Sequence, residues 1–259
     1  MRQVAALIVL STVLLPACGQ AGASNDEAVV AEHLLLSVRL DHALYDGMGN
    51  VIEYREWHDG SFKKTSEQAW QPVKLNGEDK TVRMWRYLII PKAPWTGRVG
   101  RDTYIMAPDG TAERVGTDEG YVPLNVPGQD GYKLHMHRST ATAGTLIGEH
   151  GARILQRGPD DTAVQIGTLE SRDIRLDSGV VAAKVLMTRG MGQDAVWEGE
   201  VGNVTYRENQ PGQAIPVRVL EYRKVKLHDG RETFLLMSRP AKGAGTWAGV
   251  HEGKVYREK

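Results

Sequence analysis

The stretch Trp197-Glu198-Gly199-Glu200-Val201-Gly202-Asn203-Val204-Thr205-Tyr206-Arg207-Glu208 sets a frame that the chain repeats: a bulky anchor, a glycine two residues on and a tyrosine nine residues on. Tyr45-Asp46-Gly47 leads to Tyr54-Arg55-Glu56, and Trp95-Thr96-Gly97 leads to Tyr104. Trp247-Ala248-Gly249 leads to Tyr256-Arg257-Glu258, and Leu146-Ile147-Gly148 leads to Leu155 as the most divergent copy. The anchors Tyr45, Trp95, Leu146, Trp197 and Trp247 are therefore spaced by 50, 51, 51 and 50 residues. A fixed period of this size marks a repeat architecture, in which each copy is one small unit stacked on its neighbours.

Two further landmarks keep step with the anchors. A turn dipeptide stands 14 and 15 residues after four of them, at Asp59-Gly60, Asp109-Gly110, Asp160-Asp161 and Pro211-Gly212. A second turn follows at Asn76-Gly77, Asp130-Gly131, Asp177-Ser178-Gly179 and Asp229-Gly230. Such residues supply positive φ or close a turn through their side chains, and between short apolar runs they read as β-hairpins. Each copy is then an all-β unit of about four strands. Apolar runs precede the anchors at 33–40, 85–90, 133–138, 183–188 and 233–238, and supply the last strand of each unit.

Composition narrows the class. Of the 259 residues 41% are hydrophobic, enough for one large β domain, and 29 glycines suit strands joined by tight turns. Lysine plus arginine equals aspartate plus glutamate at 32 each, so no overall bias towards nucleic acid or an anionic bilayer exists. Arg2 followed by the apolar run 4–15 reads as a signal peptide, too short for a spanning helix. At its end Leu15-Pro16-Ala17-Cys18 resembles the lipobox of bacterial lipoproteins, although Pro16 departs from the usual small or aliphatic residue. The resemblance implies cleavage before Cys18 and acylation of that cysteine, the sole thiol in the chain. The expected division is a signal peptide over 1–17, a lipidated Cys18 with a small, polar tether over 18–27, and one domain over 28–259. Gly19 after the cysteine, in place of the aspartate that favours inner-membrane retention in enterobacterial lipoproteins, points to an outer-membrane anchor facing the periplasm.

The last copy, 247–259, holds only two strands, and the run at 33–40 is the fragment it lacks. One unit assembled from both ends of the chain is how a β-propeller locks its ring. Period, count and closure together resemble five-bladed β-propellers such as the tachylectin type. The expected fold is thus an all-β, five-bladed β-propeller with N- and C-terminal strands closing one blade, and an open β-solenoid is the alternative.

No nucleophile motif, phosphate loop or dinucleotide fingerprint is visible, so neither a catalytic residue nor a cofactor is expected. The anchors Tyr45, Trp95, Trp197 and Trp247 have two readings. They pack units together beside a glycine that permits close approach, or they stack on sugar rings. Leu146 favours packing, because it keeps apolar volume without an aromatic face. The Tyr-Arg-Glu triplets at 54–56, 206–208 and 256–258 place Tyr and Glu on one strand face and Arg on the other. A pair of carboxylates from such triplets is what a glycosidase uses, but Met106 and Arg157 replace the glutamate in two copies. His135-Met136-His137 offers two imidazoles on one face without a third metal ligand, so no metal is expected.

The first unit alone carries Trp57, Phe62, Trp70, Trp85 and Tyr87 among basic residues such as Arg86. Aromatic and arginine side chains dominate protein-interface hot spots, so these six residues are the candidate partner-binding surface. The function expected is a lipid-anchored, non-catalytic protein-binding module of the periplasm or cell surface. An inhibitor or immunity lipoprotein facing a toxin and an envelope-complex subunit are its two forms. A glycan- or peptidoglycan-binding propeller is the alternative, and a glycosidase the third.

Overall fold

A computed structural model describes residues 42–45, 51–56, 62–126, 131–140 and 144–258. The signal peptide, Cys18, the tether and the apolar run 33–40 lie outside the described residues, as does Trp57. The fold is all-β. Among the described residues eighteen strands form a single sheet, with one 3-10 turn at Pro159–Asp161 and no α-helix. No helix there is long and apolar enough to cross a membrane.

The strands come in sets of two short and two long. The first set is β1 (His42–Tyr45), β2 (Val51–Glu56), β3 (Phe62–Leu75) and β4 (Glu78–Tyr87), and the second is β5 (Thr96–Val99), β6 (Asp102–Met106), β7 (Ala112–Pro123) and β8 (Lys133–Ser139). The third is β9 (Leu146–His150), β10 (Arg153–Arg157), β11 (Ala163–Leu176) and β12 (Val181–Gly190). The fourth is β13 (Glu198–Val201), β14 (Val204–Gln210), β15 (Gln213–Lys226) and β16 (Glu232–Pro240), followed by β17 (Trp247–His251) and β18 (Lys254–Glu258). Each strand pairs antiparallel with the next in the chain. Four-stranded units thus follow the sequence period, and the turn dipeptides that fall wholly among the described residues sit at hairpin tips. Asn76-Gly77 turns with φ of 53° and 84°, and Asp160-Asp161 with 54° and 58°. These are left-handed conformations that Gly, Asn and Asp tolerate best.

The spacing of anchor, glycine and tyrosine is a hairpin register. Gly97 faces Tyr104, Gly148 faces Leu155, Gly199 faces Tyr206 and Gly249 faces Tyr256 across the short hairpins. A bulky side chain covers the gap left by each glycine. A register shift recurs next to that residue, between Glu53 and Tyr54, Thr103 and Tyr104, Ile154 and Leu155, and Thr205 and Tyr206. Bulges bend a strand, and here they let one long strand serve a short hairpin with its first half and a long hairpin with its second.

Unit boundaries do not interrupt the sheet. The last strand of each unit bonds the first of the next through one to three residue pairs, as in Met84 with Gly97 and Ser238 with Ala248. The tip of a long hairpin also meets the next unit. Lys74 N–H donates to Gly110 O at 3.1 Å, Asn125 N–H to Asp161 O at 2.7 Å and Arg175 N–H to Gly212 O at 2.8 Å.

Units that are not neighbours also touch. Ile89 and Ile90 cluster with Leu220, Tyr222 and Leu236, Tyr222 N–H donates to Pro91 O at 3.1 Å, and Lys92 Nζ pairs with Glu221 at 2.5 Å. The β17–β18 turn reaches back to the second unit, where Glu252 N–H donates to Thr140 O at 2.8 Å and His251 stands 3.6 Å from Glu113.

Candidate functional site

Each unit is built around a methionine. Met84, Met136, Met187 and Met237 are fully buried, and each lies on the last strand of a unit beside the glycine of the next. A Cβ on Gly97 would stand 2.8 Å from Met84 Cγ, and on Gly199 2.5 Å from Met187 Sδ and 2.7 Å from Leu186 O. Gly148 and Gly249 are equally crowded, by His135 O at 2.5 Å and Leu236 O at 2.9 Å. The methionine side chain crowds the Cβ position at Gly97, Gly199 and Gly249, and the His135 carbonyl with Leu134 crowds it at Gly148, so only a residue without a Cβ fits.

The residue two after each methionine is an arginine: Arg86, Arg138, Arg189 and Arg239. Three of them lie over anchor rings. The Arg86 guanidinium carbon is 4.9 Å from the Trp95 centroid, Arg189 is 4.9 Å from Trp197 and Arg239 is 5.1 Å from Trp247. A second arginine joins from the long strand, Arg172 over Trp197 at 4.2 Å and Arg223 over Trp247 at 5.1 Å. These distances are within cation–π range. The triplet glutamates hold the second arginines: Arg172 Nη1 donates to Glu208 at 2.8 Å, and Arg223 Nη2 to Glu258 at 3.0 Å. Hydrogen bonding to Arg223 keeps the Glu258 carboxyl below its usual range.

That arrangement covers two of the anchor rings with arginines. Trp247 is 8% exposed, and Trp197 packs against a core of Ile174, Val185, Met187 and Ala214. A sugar stacking on Trp197 or Trp247 would have to displace two guanidinium groups. Tyr206 and Tyr256 of the triplets lie in the same cores, while Glu208 and Glu258 are tied to arginines rather than facing each other. The anchor Tyr45 lies on β1, and its side chain is outside the described residues.

The partner candidates separate into two faces. Register pairs Trp70 with Arg83, Gln68 with Trp85 and Ser66 with Tyr87, so Trp70, Trp85, Tyr87 and Arg83 share one face of the β3–β4 hairpin. Trp70 is 56% exposed on it, with Trp85 and Tyr87 half-buried. Arg86 is a correction to the sequence-based grouping. Strand alternation turns it to the opposite face, where it donates to Glu67 and covers Trp95. Phe62 opens β3, with its side chain outside the described residues.

His135 stands against a carboxylate. Its Nε2 stands 3.0 Å from Asp118 Oδ1, and its ring meets Tyr121 edge-on at 5.4 Å. Burial alone would raise the Asp118 carboxyl, but Arg98, the Gly120 N–H and His135 together hold it below the usual carboxylate range. Among the described residues no three His, Cys, Asp or Glu side chains are placed to hold a metal ion.

Sequence reasoning missed two features. The Met-x-Arg pattern repeats four times as plainly as the glycine does, and it carries both the core and the cap of the anchor. Glu149 and Glu200 stand three residues after successive anchors, and burial pushes both carboxyls up. The Glu200 carboxyl is raised well above its ordinary value, with Arg218 opposing the shift and Glu198 adding to it. Comparison with known proteins returns no match: no family model, no curated sequence and no solved structure matches this chain.

Proposed function

We propose that this chain is a lipid-anchored protein of the cell envelope that binds another protein through the aromatic face of its β3–β4 hairpin. The observation that carries the reading is Trp70, 56% exposed beside Arg83, with Trp85 and Tyr87 on the same face. Large aromatics with arginine are the composition of interface hot spots, and an indole left in water is costly unless something covers it. The segment 62–87 holds six lysines and arginines against three acidic residues, so an acidic partner surface fits it best. An inhibitor or immunity lipoprotein facing a toxin enzyme, and a subunit of an envelope complex, are the two forms of such a protein.

The anchor part of the reading rests on Cys18 after the apolar run 4–15, and places the domain on the outer membrane facing the periplasm. The architecture proposed for the whole domain is a five-bladed β-propeller, with the run 33–40 completing the blade begun by β17 and β18. The 50-residue period and the contacts between units that are not neighbours support a closed ring. Hydrogen bonding through the unit boundaries makes it a more continuous sheet than one of separate blades.

Cross-linking capture from envelope extracts with the full chain, repeated with Trp70→Ala and Arg83→Glu, tests the binding face. Loss of the captured partner by about 2 kcal/mol or more in affinity, with unchanged melting, is expected. Capture that survives both changes rejects this face, and displacement of the captured protein by a defined oligosaccharide favours the glycan reading. For the anchor, Cys18→Ser is expected to leave the membrane fraction. Retention after high-salt washing rejects lipidation.

A further inference from the structure

A cavity of about 320 Å³ opens where the second unit meets the β17–β18 turn, lined by Arg114, Gly116, Thr117, Arg138, Ser139, Thr140, Gly144 and Glu252. It is separate from the β3–β4 face. We infer that this cavity binds a small zwitterion, one molecule carrying both a carboxylate and an ammonium, the chemistry of a free amino acid or a dipeptide.

The argument is a count of what the lining has left to offer. The Thr117 hydroxyl donates to Asp102 Oδ1 at 2.6 Å, the Thr140 hydroxyl to Val115 O at 3.3 Å, and the Gly144 N–H to Ser139 O at 3.2 Å. Ser139 is buried and already bonded. Among the described lining residues the neutral side chains are thus engaged, and charged groups remain. Arg138 uses Nε on Glu119 at 2.9 Å, which leaves its Nη groups. Arg114 has its nearest carboxylate, Asp102, at 3.9 Å, beyond hydrogen-bond reach. Glu252 senses Arg231 at a distance but forms no ion pair with any described residue. Two arginines and one glutamate therefore line the cavity with capacity that the described residues leave unused.

Size and charge sharpen the ligand. Small-molecule sites span roughly 300–1,000 Å³, so this one is at the small end. Gly116 and Gly144 present no side chain to fill it. A dianion such as phosphate would meet Glu252 with Asp102 and Glu119 close behind the arginines, and like charges repel. A zwitterion satisfies both signs: its carboxylate takes the guanidinium N–H groups in the forked geometry arginine favours, and its ammonium takes Glu252.

Isothermal titration of the full chain with alanine, N-acetylalanine, alaninamide and alanyl-alanine tests the inference. Alanine or alanyl-alanine is expected to bind, and removing either charge from alanine is expected to weaken binding by about tenfold or more. Tighter binding of alanyl-alanine names a dipeptide as the source, and tighter binding of alanine names the free amino acid. Glu252→Gln is expected to lower affinity for alanine while leaving N-acetylalanine unchanged. Arg114→Gln, at an exposed side chain, is expected to lower affinity for both and leave alaninamide unchanged. Absence of heat with all four compounds overturns the inference, as does equal binding of the charged and neutralised compounds, which needs only the unaltered protein. Binding that neither substitution changes places the ligand elsewhere and overturns it too.

Discussion

Trp197 and Leu146 occupy the same place in successive units, yet their surroundings differ in kind. Both anchors precede a glycine that pairs in register with a buried methionine and has no room for a Cβ, and both follow a Met-x-Arg strand. Around Trp197 the long strand contributes Arg172, held by Glu208. At the register position of Arg172, two residues beyond the partner of the methionine, the preceding unit has Val122, and at that of Glu208 it has Arg157. Leu146 instead joins Leu124, Leu134, Met136 and Leu155, with Val122 packed against them. At the Leu146 site anchor, arginine and glutamate all differ, while the Trp95 site keeps the tryptophan with Gln71 and Met106 at the two cap positions; methionine and glycine are kept in every case. The methionine and glycine frame makes the unit, and the anchor with its cap is an interchangeable filling of that frame.

The largest expected effect falls on the filling where it is most buried. Trp247→Ala removes an indole 8% exposed and leaves Arg223 and Arg239 without a ring to cover, so a loss of about 3–5 kcal/mol is expected in denaturant melts. A loss below about 1 kcal/mol would mean that the anchor ring is no pillar of its unit. The frame comes next. Gly148→Ala and Gly199→Ala each force a Cβ against backbone oxygen, and about 1–3 kcal/mol is expected for both despite their different anchors. Unequal costs would show that the frame, too, depends on its filling.

A smaller effect separates the two units by pH. The folded Glu200 carboxyl is raised by burial, so its contribution is full below the unfolded value and is lost as pH rises through the folded one. Glu200→Gln, which mimics the protonated form, is therefore expected to melt higher than the native chain at pH 8 and to match it near pH 4. Glu149→Gln, at the equivalent place, is expected to act in the same direction by less. Melting curves with no pH-dependent difference would show that neither carboxyl is held in its protonated form.

Much of this was legible in the sequence because cross-strand pairing fixes spacing. Gly and Tyr seven residues apart are direct partners in a tight hairpin, so insertion between them is not tolerated and the skeleton stands out. Turn dipeptides were equally visible, since left-handed φ restricts the residue choice. The Met-x-Arg strand was overlooked although its spacing is nearly constant, because an apolar run hides a methionine among other core residues. The placing of Arg86 with Trp85 and Tyr87 failed on alternation: neighbours in sequence on a strand point to opposite faces. Contacts such as Ile90 with Leu220 had no signal at all, because they join positions that the repeat does not relate. Exposure of Trp70 likewise depends on what covers a face, which periodicity does not specify.

The claim that anchor and cap form one unit is tested most directly by a double-mutant cycle on Trp197→Leu and Arg172→Val, the pair of residues found at the Leu146 site. Each single change is expected to destabilise, Trp197→Leu by leaving the guanidinium of Arg172 without its ring and Arg172→Val by leaving the ring and Glu208 without their partner. The double variant is expected to be more stable than the sum of the two predicts by about 1–2 kcal/mol, within the usual coupling range for residues in contact. Additive losses within about 0.5 kcal/mol would contradict the account.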